Sequence, residues 1–420
     1  MGVLPGTVGG TALAVNSSGE VAGTSYLNAS GIPGPAFYWS KTTGIKNIGT
    51  QGATQSSVTG FNEAGQILAS GVGYFVWKNG ENNNNPQPLF DPIGLGGNAC
   101  RAQAINNSGV VVGYYFDHDI VLGTYPDTGA PIYPDRACFW NKNPQSGNWE
   151  AAPLSPLTGN NFCRATRINN NGVIAGVSCT RNYDLVTGNF SDSGWHLVQW
   201  QAVAGSLPTL SASAPGEGIE ATLINASGEV GGTFFSAISS TFFFNPLVSP
   251  STVTLLGNLG GDAGGGARTQ PFGLNDAGQM CGASVAASTN RYHAFYWDKT
   301  RSPGNLLDMG TLGGTESRAH SVLGQTWSMI NNSGTVIGWS RTTRDQAAHA
   351  FVWLPASSGG VVVGGTMYDL NNRLDASTTL KKVGLRELVG AAAITDNGLI
   401  VGFAVTSNGS RRAFLLTPNP

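Results

Sequence analysis

Apolar and polar residues alternate along this chain in short runs broken by Asn and Gly, and one such segment recurs. Residues 330–338, INNSGTVIG, share their design with 15–23 (VNSSGEVAG), 61–69 (FNEAGQILA), 105–113 (INNSGVVVG) and 168–176 (INNNGVIAG). It returns at 224–232 (INASGEVGG), 274–282 (LNDAGQMCG) and 394–402 (ITDNGLIVG). Alternation with a period of two suits a half-buried strand. Asn and Gly tolerate φ > 0, so each N-x-x-G step predicts a tight reversal and each copy a hairpin. The eight turns fall at 16–19, 62–65, 106–109, 169–172, 225–228, 275–278, 331–334 and 395–398.

An aromatic run follows each hairpin: 35–39 (PAFYW), 74–77 (YFVW), 136–140 (RACFW), 196–200 (HLVQW), 241–245 (TFFFN), 293–297 (HAFYW), 349–353 (HAFVW) and 412–416 (RAFLL). These read as third strands. Short runs at 45–48, 89–90, 253–256, 306–309 and 367–370 read as fourth strands, several leading into a glycine turn such as LGG at 259–261 and 312–314. Four antiparallel strands per unit of roughly 50 residues, with nothing helical between them, predict an all-β, eight-bladed β-propeller rather than a linear solenoid. The termini favour the ring. The last unit stops after its third strand, and residues 1–10, MGVLPGTVGG, resemble the fourth-strand segment LLDMGTLGG at 306–314. The N-terminal strand is therefore expected to complete the last blade, with Val3 beside Phe414, and so remove an open edge. The expected organisation is a single repeat domain over 1–420: a closing strand at 1–10 and eight units over 11–420.

The pattern I-N-x-x-G-x-V-x-G, then HAF-x-W, then D-x-G-T-L-G-G, resembles the bacterial "probable extracellular repeat" or HAF family. Its triplet stands here at His293, Ala294, Phe295 and at His349, Ala350, Phe351. The resemblance is strongest in units one, six, seven and eight. It implies an exported, surface-associated or secreted bacterial protein whose leader is not part of this chain.

Composition changes the picture in three ways. Charged residues are 11% of the chain, below the roughly 25% usual for soluble domains, so Asn, Ser, Thr and Gln must cover the surface. A formal charge of −2 gives no electrostatic case for nucleic acid or an anionic membrane, and no apolar run reaches the roughly 18 residues of a membrane helix. Cys163 and Cys179, two of five cysteines, lie nearly equidistant from the turn at 169–172, so a cross-strand disulfide between them is a candidate, buried thiols being the competing reading.

Chemistry on a repeat scaffold is expected in its long loops. Two connections, 114–135 and 178–195, are long and belong to adjacent units. They carry the candidate ligand-binding residues Tyr114, Tyr115, Asp117, His118, Asp119, Tyr125, Asp127, Tyr133, Tyr183, Asp184 and Trp195. Rings beside acids suit a carbohydrate; the competing reading is that the loops pack on each other or on a neighbouring molecule. Asp117 and Asp119 form a weak Ca²⁺ candidate, and no other cofactor is expected. His196, His293 and His349 hold the same place in three units, which marks them as part of the repeat. No nucleophile elbow stands in the sequence and acids are scarce, so no enzyme activity is expected. The functional expectation is a non-catalytic extracellular or cell-surface binding or scaffold module. Its partners would be a glycan, matrix or protein, copies of itself included, held through the face of 114–135 and 178–195. The alternatives are a self-assembling fibre or surface-layer subunit and a polysaccharide-active propeller enzyme.

Overall fold

The computed structural model describes residues 1–92, 100–213, 218–235, 240–247, 253–261, 269–301, 305–320, 328–375 and 380–419. Eight antiparallel sheets stand in a ring, one per sequence unit. Blade 6 is representative: Thr269–Leu274, Gln279–Val285, Tyr292–Asp298 and Leu307–Asp308 pair in chain order. Seven blades have four strands. The eighth has three, Glu387–Ile394, Ile400–Val405 and Arg411–Leu416.

The third strands explain the aromatic repeats. In blade 6 Phe295 and Trp297 face blade 5, where Phe243 lies 5.1 Å from the Trp297 ring. Tyr296 faces the other way and meets Trp353 of blade 7 at 5.4 Å. Period-two alternation thus supplies aromatic wedges to both neighbours, and Trp77, Trp140, Trp200, Trp297 and Trp353 are fully buried between sheets. The last glycine of the motif makes room for them. A Cβ on Gly282 would stand 2.0 Å from the Gln270 carbonyl oxygen and 2.8 Å from the Phe295 ring.

The ring closes where the termini meet. Leu4 is buried in one apolar cluster with Ala12, Val21 and Phe37 of blade 1 and Ala393, Val401 and Ala413 of blade 8, with Met1 and Leu415 packed against it. Arg412 Nη1 donates to the Val8 carbonyl at 2.6 Å. The expected closing strand does not form: residues 1–8 pair in no sheet and act through these contacts, and Gly9 already opens the first strand of blade 1.

Two expectations change. The connection 178–195 is not a loop: the second and third strands of blade 4, Val173–Asp184 and Asn189–Gln201, run on as one long hairpin with Arg181 opposite Asp192. Cys163 and Cys179 are buried free thiols. A bulge between Ala165 and Arg167 slips the register by one, so Cys163 lies opposite Ser178 and Cys179 opposite Phe162. A one-residue slip sends the two side chains to opposite faces of the sheet. Cys163 packs toward blade 3 and Cys179 toward blade 5.

Candidate functional site

The eight first strands line the axis, and the repeat's own residues build one mouth of the central channel. The motif Asn closes its turn by accepting the N–H four residues on, as Gln279 N does to Asn275 Oδ1 at 2.9 Å. Its amide then reaches the next blade. Asn62 Nδ2 donates to the Asn106 carbonyl (2.8 Å), Asn106 to Asn169 (3.1 Å), Asn169 to Asn225 (3.0 Å), Asn225 to Asn275 (3.0 Å) and Asn275 to Asn331 (2.9 Å).

The next residue of each turn forms a second circle, the rim. Ser17 N donates to Glu63 Oε2 (2.9 Å), Glu63 N to Asn107 Oδ1 (3.1 Å) and Asn107 N to Asn170 Oδ1 (2.9 Å). Ala226 N donates to Asp276 Oδ1 (2.9 Å), Asp276 N to Asn332 Oδ1 (3.0 Å) and Asn332 N to Asp396 Oδ1 (2.7 Å). Ala226 has no side-chain acceptor, and there Asn171 Nδ2 bonds the Ala226 carbonyl instead (2.8 Å). Asn397 Nδ2 to the Ser17 carbonyl (2.9 Å) joins blade 8 to blade 1. The sequence reading assigned these residues to turn chemistry alone. Their recurrence just after the motif Asn was the available signal.

Inside the rim lies an apolar collar, the first residue of every motif: Val15, Phe61, Ile105, Ile168, Ile224, Leu274, Ile330 and Ile394. Beneath part of it opens a cavity of about 550 Å³ whose other walls include Thr59, Gln103, Arg167, Thr222 and Ser328. Hollows of about 590 and 260 Å³ share its collar residues and run up to the rim. Bulges in the first strands of several blades help to shape this lining. Thr59, Gln103 and Thr222 are residues skipped by the ladder in blades 2, 3 and 5. Bulges of this kind re-aim side chains beside functional sites. The cavity falls within the roughly 300–1,000 Å³ of small-molecule and cofactor pockets.

The residues singled out in the two long connections do come together, but they engage one another. His118 stacks on Tyr133 at 3.9 Å, and Tyr183 meets Tyr125 and Phe190 at 6.2 and 5.2 Å. Asp117 takes Arg136 Nε at 2.8 Å and the Asp119 N–H at 3.2 Å. Asp184 caps its own turn through Val186 N (2.8 Å). Those bonds hold its carboxyl below the ordinary value. Tyr115 is buried, and burial pushes its hydroxyl pKa up. Tyr114 lies under the Arg164 guanidinium at 4.5 Å, and Trp195 packs on Phe162 at 5.8 Å. Asp127 is exposed. Among the described residues no three His, Cys, Asp or Glu side chains converge as a metal site, so Asp117 and Asp119 gain no third acidic or imidazole ligand.

Two of the three repeat histidines, His293 and His349, are straps, whereas His196 Nδ1 has no hydrogen-bond partner among the described residues. His293 Nδ1 bonds the Asp308 carboxylate at 2.9 Å, tying third strand to fourth, and its Nε2 meets Thr289 Oγ1 at 3.0 Å. His349 makes the same bond to Asp369 at 2.7 Å, with Glu387 of blade 8 at 3.6 Å from its Nε2. Recurrence of the imidazole–carboxylate pair in both units marks it as architecture.

No family model matches the sequence, and no curated protein matches it. Solved structures similar to it are propellers. The β-propeller domain of the Trilobed protease from Pyrococcus furiosus aligns at 9% identity and a TM-score of 0.46, over 87% of this chain and 99% of that domain. The dipeptidyl peptidase 4 of Porphyromonas gingivalis aligns at 10% identity and 0.43, over 94% of this chain and 57% of the other. A puromycin-hydrolyzing peptidase of Mycobacterium tuberculosis aligns at 10% identity and 0.47, over 100% of this chain and 61% of the other. At these identities the likeness is one of fold alone. The side chains of 114–135 and 178–195 are taken up largely by one another and by neighbouring strands, which corrects the expectation of a non-catalytic glycan, matrix or protein scaffold acting through that face.

Proposed function

We propose that this propeller is the chain-admitting part of an enzyme system acting on peptides, and that its axial funnel holds an extended peptide segment. The catalytic centre is supplied by another domain or protein. One observation carries the reading: a cavity of about 550 Å³ on the propeller axis, below a collar of aliphatic side chains and a rim of amides and carboxylates. Amide and carboxylate groups together match the donors and acceptors of an extended backbone, and the collar matches its apolar side chains. Sugar recognition has less support there, since Phe61 is the one aromatic ring among the cavity's lining residues. Among the described residues no helix is long and apolar enough to cross a membrane. An extracellular setting is supported by the HAF-type pattern of His293 to Phe295 and His349 to Phe351.

The test fills the funnel. Calorimetric titration of the propeller with unstructured casein peptides should show binding that Ile168→Trp and Ile224→Trp abolish, while the far-UV spectrum stays unchanged. Binding that survives both substitutions, or no binding by the unmodified protein, sinks the reading.

A further inference from the structure

In every blade one residue of the third strand stands opposite the seventh residue of the motif, and its side chain is the wedge turned toward the preceding blade. It is a tryptophan in six blades, Trp297 and Trp353 among them, and Phe244 in blade 5. In blade 8 it is Leu416, opposite Ile400. Leu416 is half-buried and borders a cavity of about 490 Å³ together with Leu374, Leu380, Leu385, Leu388 and Phe414. A leucine where the other blades place a ring leaves space that close packing fills elsewhere.

The same blade lacks a fourth strand. Elsewhere that strand sets an aliphatic residue beside the wedge: Ile45 opposite Trp39, Val253 opposite Phe244 and Met367 opposite Trp353. Among the described residues Arg411–Leu416 is paired on one side only, so Leu416 has no cross-strand neighbour on its outer side. Residues 1–3, which lead to the buried Leu4, are in no sheet and contribute only Met1 to the cavity wall. An unpaired edge of this kind is a template for a further strand. The rim is cationic: Arg412 is among the lining residues, Lys381 is exposed on the turn Leu380–Val383, and no carboxylate is among the lining residues.

We propose that the outer edge of blade 8 accepts an extended segment of a partner polypeptide as its fourth strand, with an aromatic residue opposite Leu416 seating its ring in the cavity. The pair found in the other blades, a ring on the third strand and an aliphatic residue on the fourth, is thereby reversed, and the space between blades 7 and 8 is filled. The incoming strand displaces only residues 1–3, which no ladder holds. Acidic residues near the aromatic one complement Arg412 and Lys381. This site shares no lining residue with the axial hollows and does not depend on what the funnel holds.

Fluorescence polarisation with three labelled peptides tests the assignment: Asp-Val-Thr-Trp-Thr-Val-Asp, the same peptide with Ala for Trp, and the Trp peptide N-methylated at alternate residues so that it cannot join a ladder. The Trp peptide should bind about tenfold or more tightly than either control. Leu416→Trp, which fills the cavity from within, should remove that advantage without lowering the thermal midpoint; if this variant does not fold, the three peptides on the unmodified protein decide alone. Equal binding by the Trp peptide and either control, or no binding at all, overturns the proposal. Binding that Ile168→Trp or Ile224→Trp abolishes would place the peptide in the funnel and overturns it too. Free indole that displaces the peptide at equal concentration would assign the cavity to a small aromatic molecule. A dimer in sedimentation that Leu416→Trp dissociates would assign the edge to a second copy. Either result overturns the partner strand.

Discussion

Asn275 Nδ2 donates to the carbonyl of Asn331, one blade further on, at 2.9 Å. The same side chain closes its own turn through Oδ1, so one amide holds both a reversal and an interface. Asn275 is buried, and both partner groups are main-chain. Asn275→Ala would strand the buried Asn331 carbonyl, at about 1–3 kcal/mol, and the part-buried Gln279 N–H at less. Asn275→Asp keeps the turn acceptor and loses the donor, so it should fall between alanine and the native residue. Urea denaturation of the two variants checks the order; equal stabilities would show that the inter-blade bond contributes nothing.

Gly282 illustrates a second constraint. Its Cβ would stand 2.0 Å from a carbonyl oxygen of the first strand and 2.8 Å from the Phe295 ring, neither of which can swing away. Gly282→Ala should cost about 3 kcal/mol, at the upper end for overpacking. Gly364, in the outer strand of blade 7, has nothing within 4 Å of the added carbon, and Gly364→Ala should be neutral to within about 0.5 kcal/mol. The difference in thermal midpoint between the two alanine variants is the readout.

The ring was legible in the sequence because its causes are local and periodic. Asn and Gly mark each turn, and aromatic residues at alternate positions mark each wedge strand. What the sequence hid depends on register and on neighbours far along the chain. The Asn amide bonds residues 44 to 64 positions away, as Asn62 to Asn106 and Asn331 to Thr395 show. The cavity is assembled from short runs of several blades, with Thr59, Gln103 and Thr222 at bulges that no residue type announces. The connection 178–195 reads as a loop because Asn182, Asp184, Asn189 and Asp192 are turn-favouring, yet antiparallel pairing carries the hairpin through them.

Cys163 follows from the same bulge. Without it the ladder would place Cys163 opposite Cys179; with it, Cys163 Sγ accepts the Ala137 N–H at 3.3 Å and donates to the Leu154 carbonyl at 3.7 Å. Ser317 makes the equivalent bonds between blades 7 and 6, to Ala294 N at 2.9 Å and the Gly310 carbonyl at 2.6 Å. Cys163→Ser should therefore leave stability within about 1 kcal/mol, whereas Cys163→Val leaves the Ala137 N–H buried and unpaired and should cost about 1–3 kcal/mol. Thiol titration after unfolding without reductant should count all five cysteines. A count of three would mean a bridge and a different register.

His349 gives the fold a pH dependence whose sign is set by its partners. The bond to Asp369 raises its pKa above the ordinary 6.5, burial opposes, and the charges of Asp369 and Glu387 add to the rise. For Asp369, burial pushes up, but His349 and the Asn371 bonds outweigh it and hold the carboxyl below its usual value. Arg386 faces Glu387 from the other side at 2.7 Å. A raised imidazole pKa contributes stability that is complete below the unfolded-state value, about 6.5, and is lost as pH rises through the higher folded-state value. The depressed Asp369 acts at the other end, its contribution disappearing as pH falls through its folded-state value. The strap between blades 7 and 8 is thus strongest in mildly acidic solution. His349→Gln removes the titrating group and should flatten the decline in urea midpoint above about pH 6.5. His293→Gln is the comparison, because among the described residues no counterpart of Glu387 bridges its imidazole to the next blade. If the alkaline slope persists in His349→Gln, the pH dependence belongs to some other group.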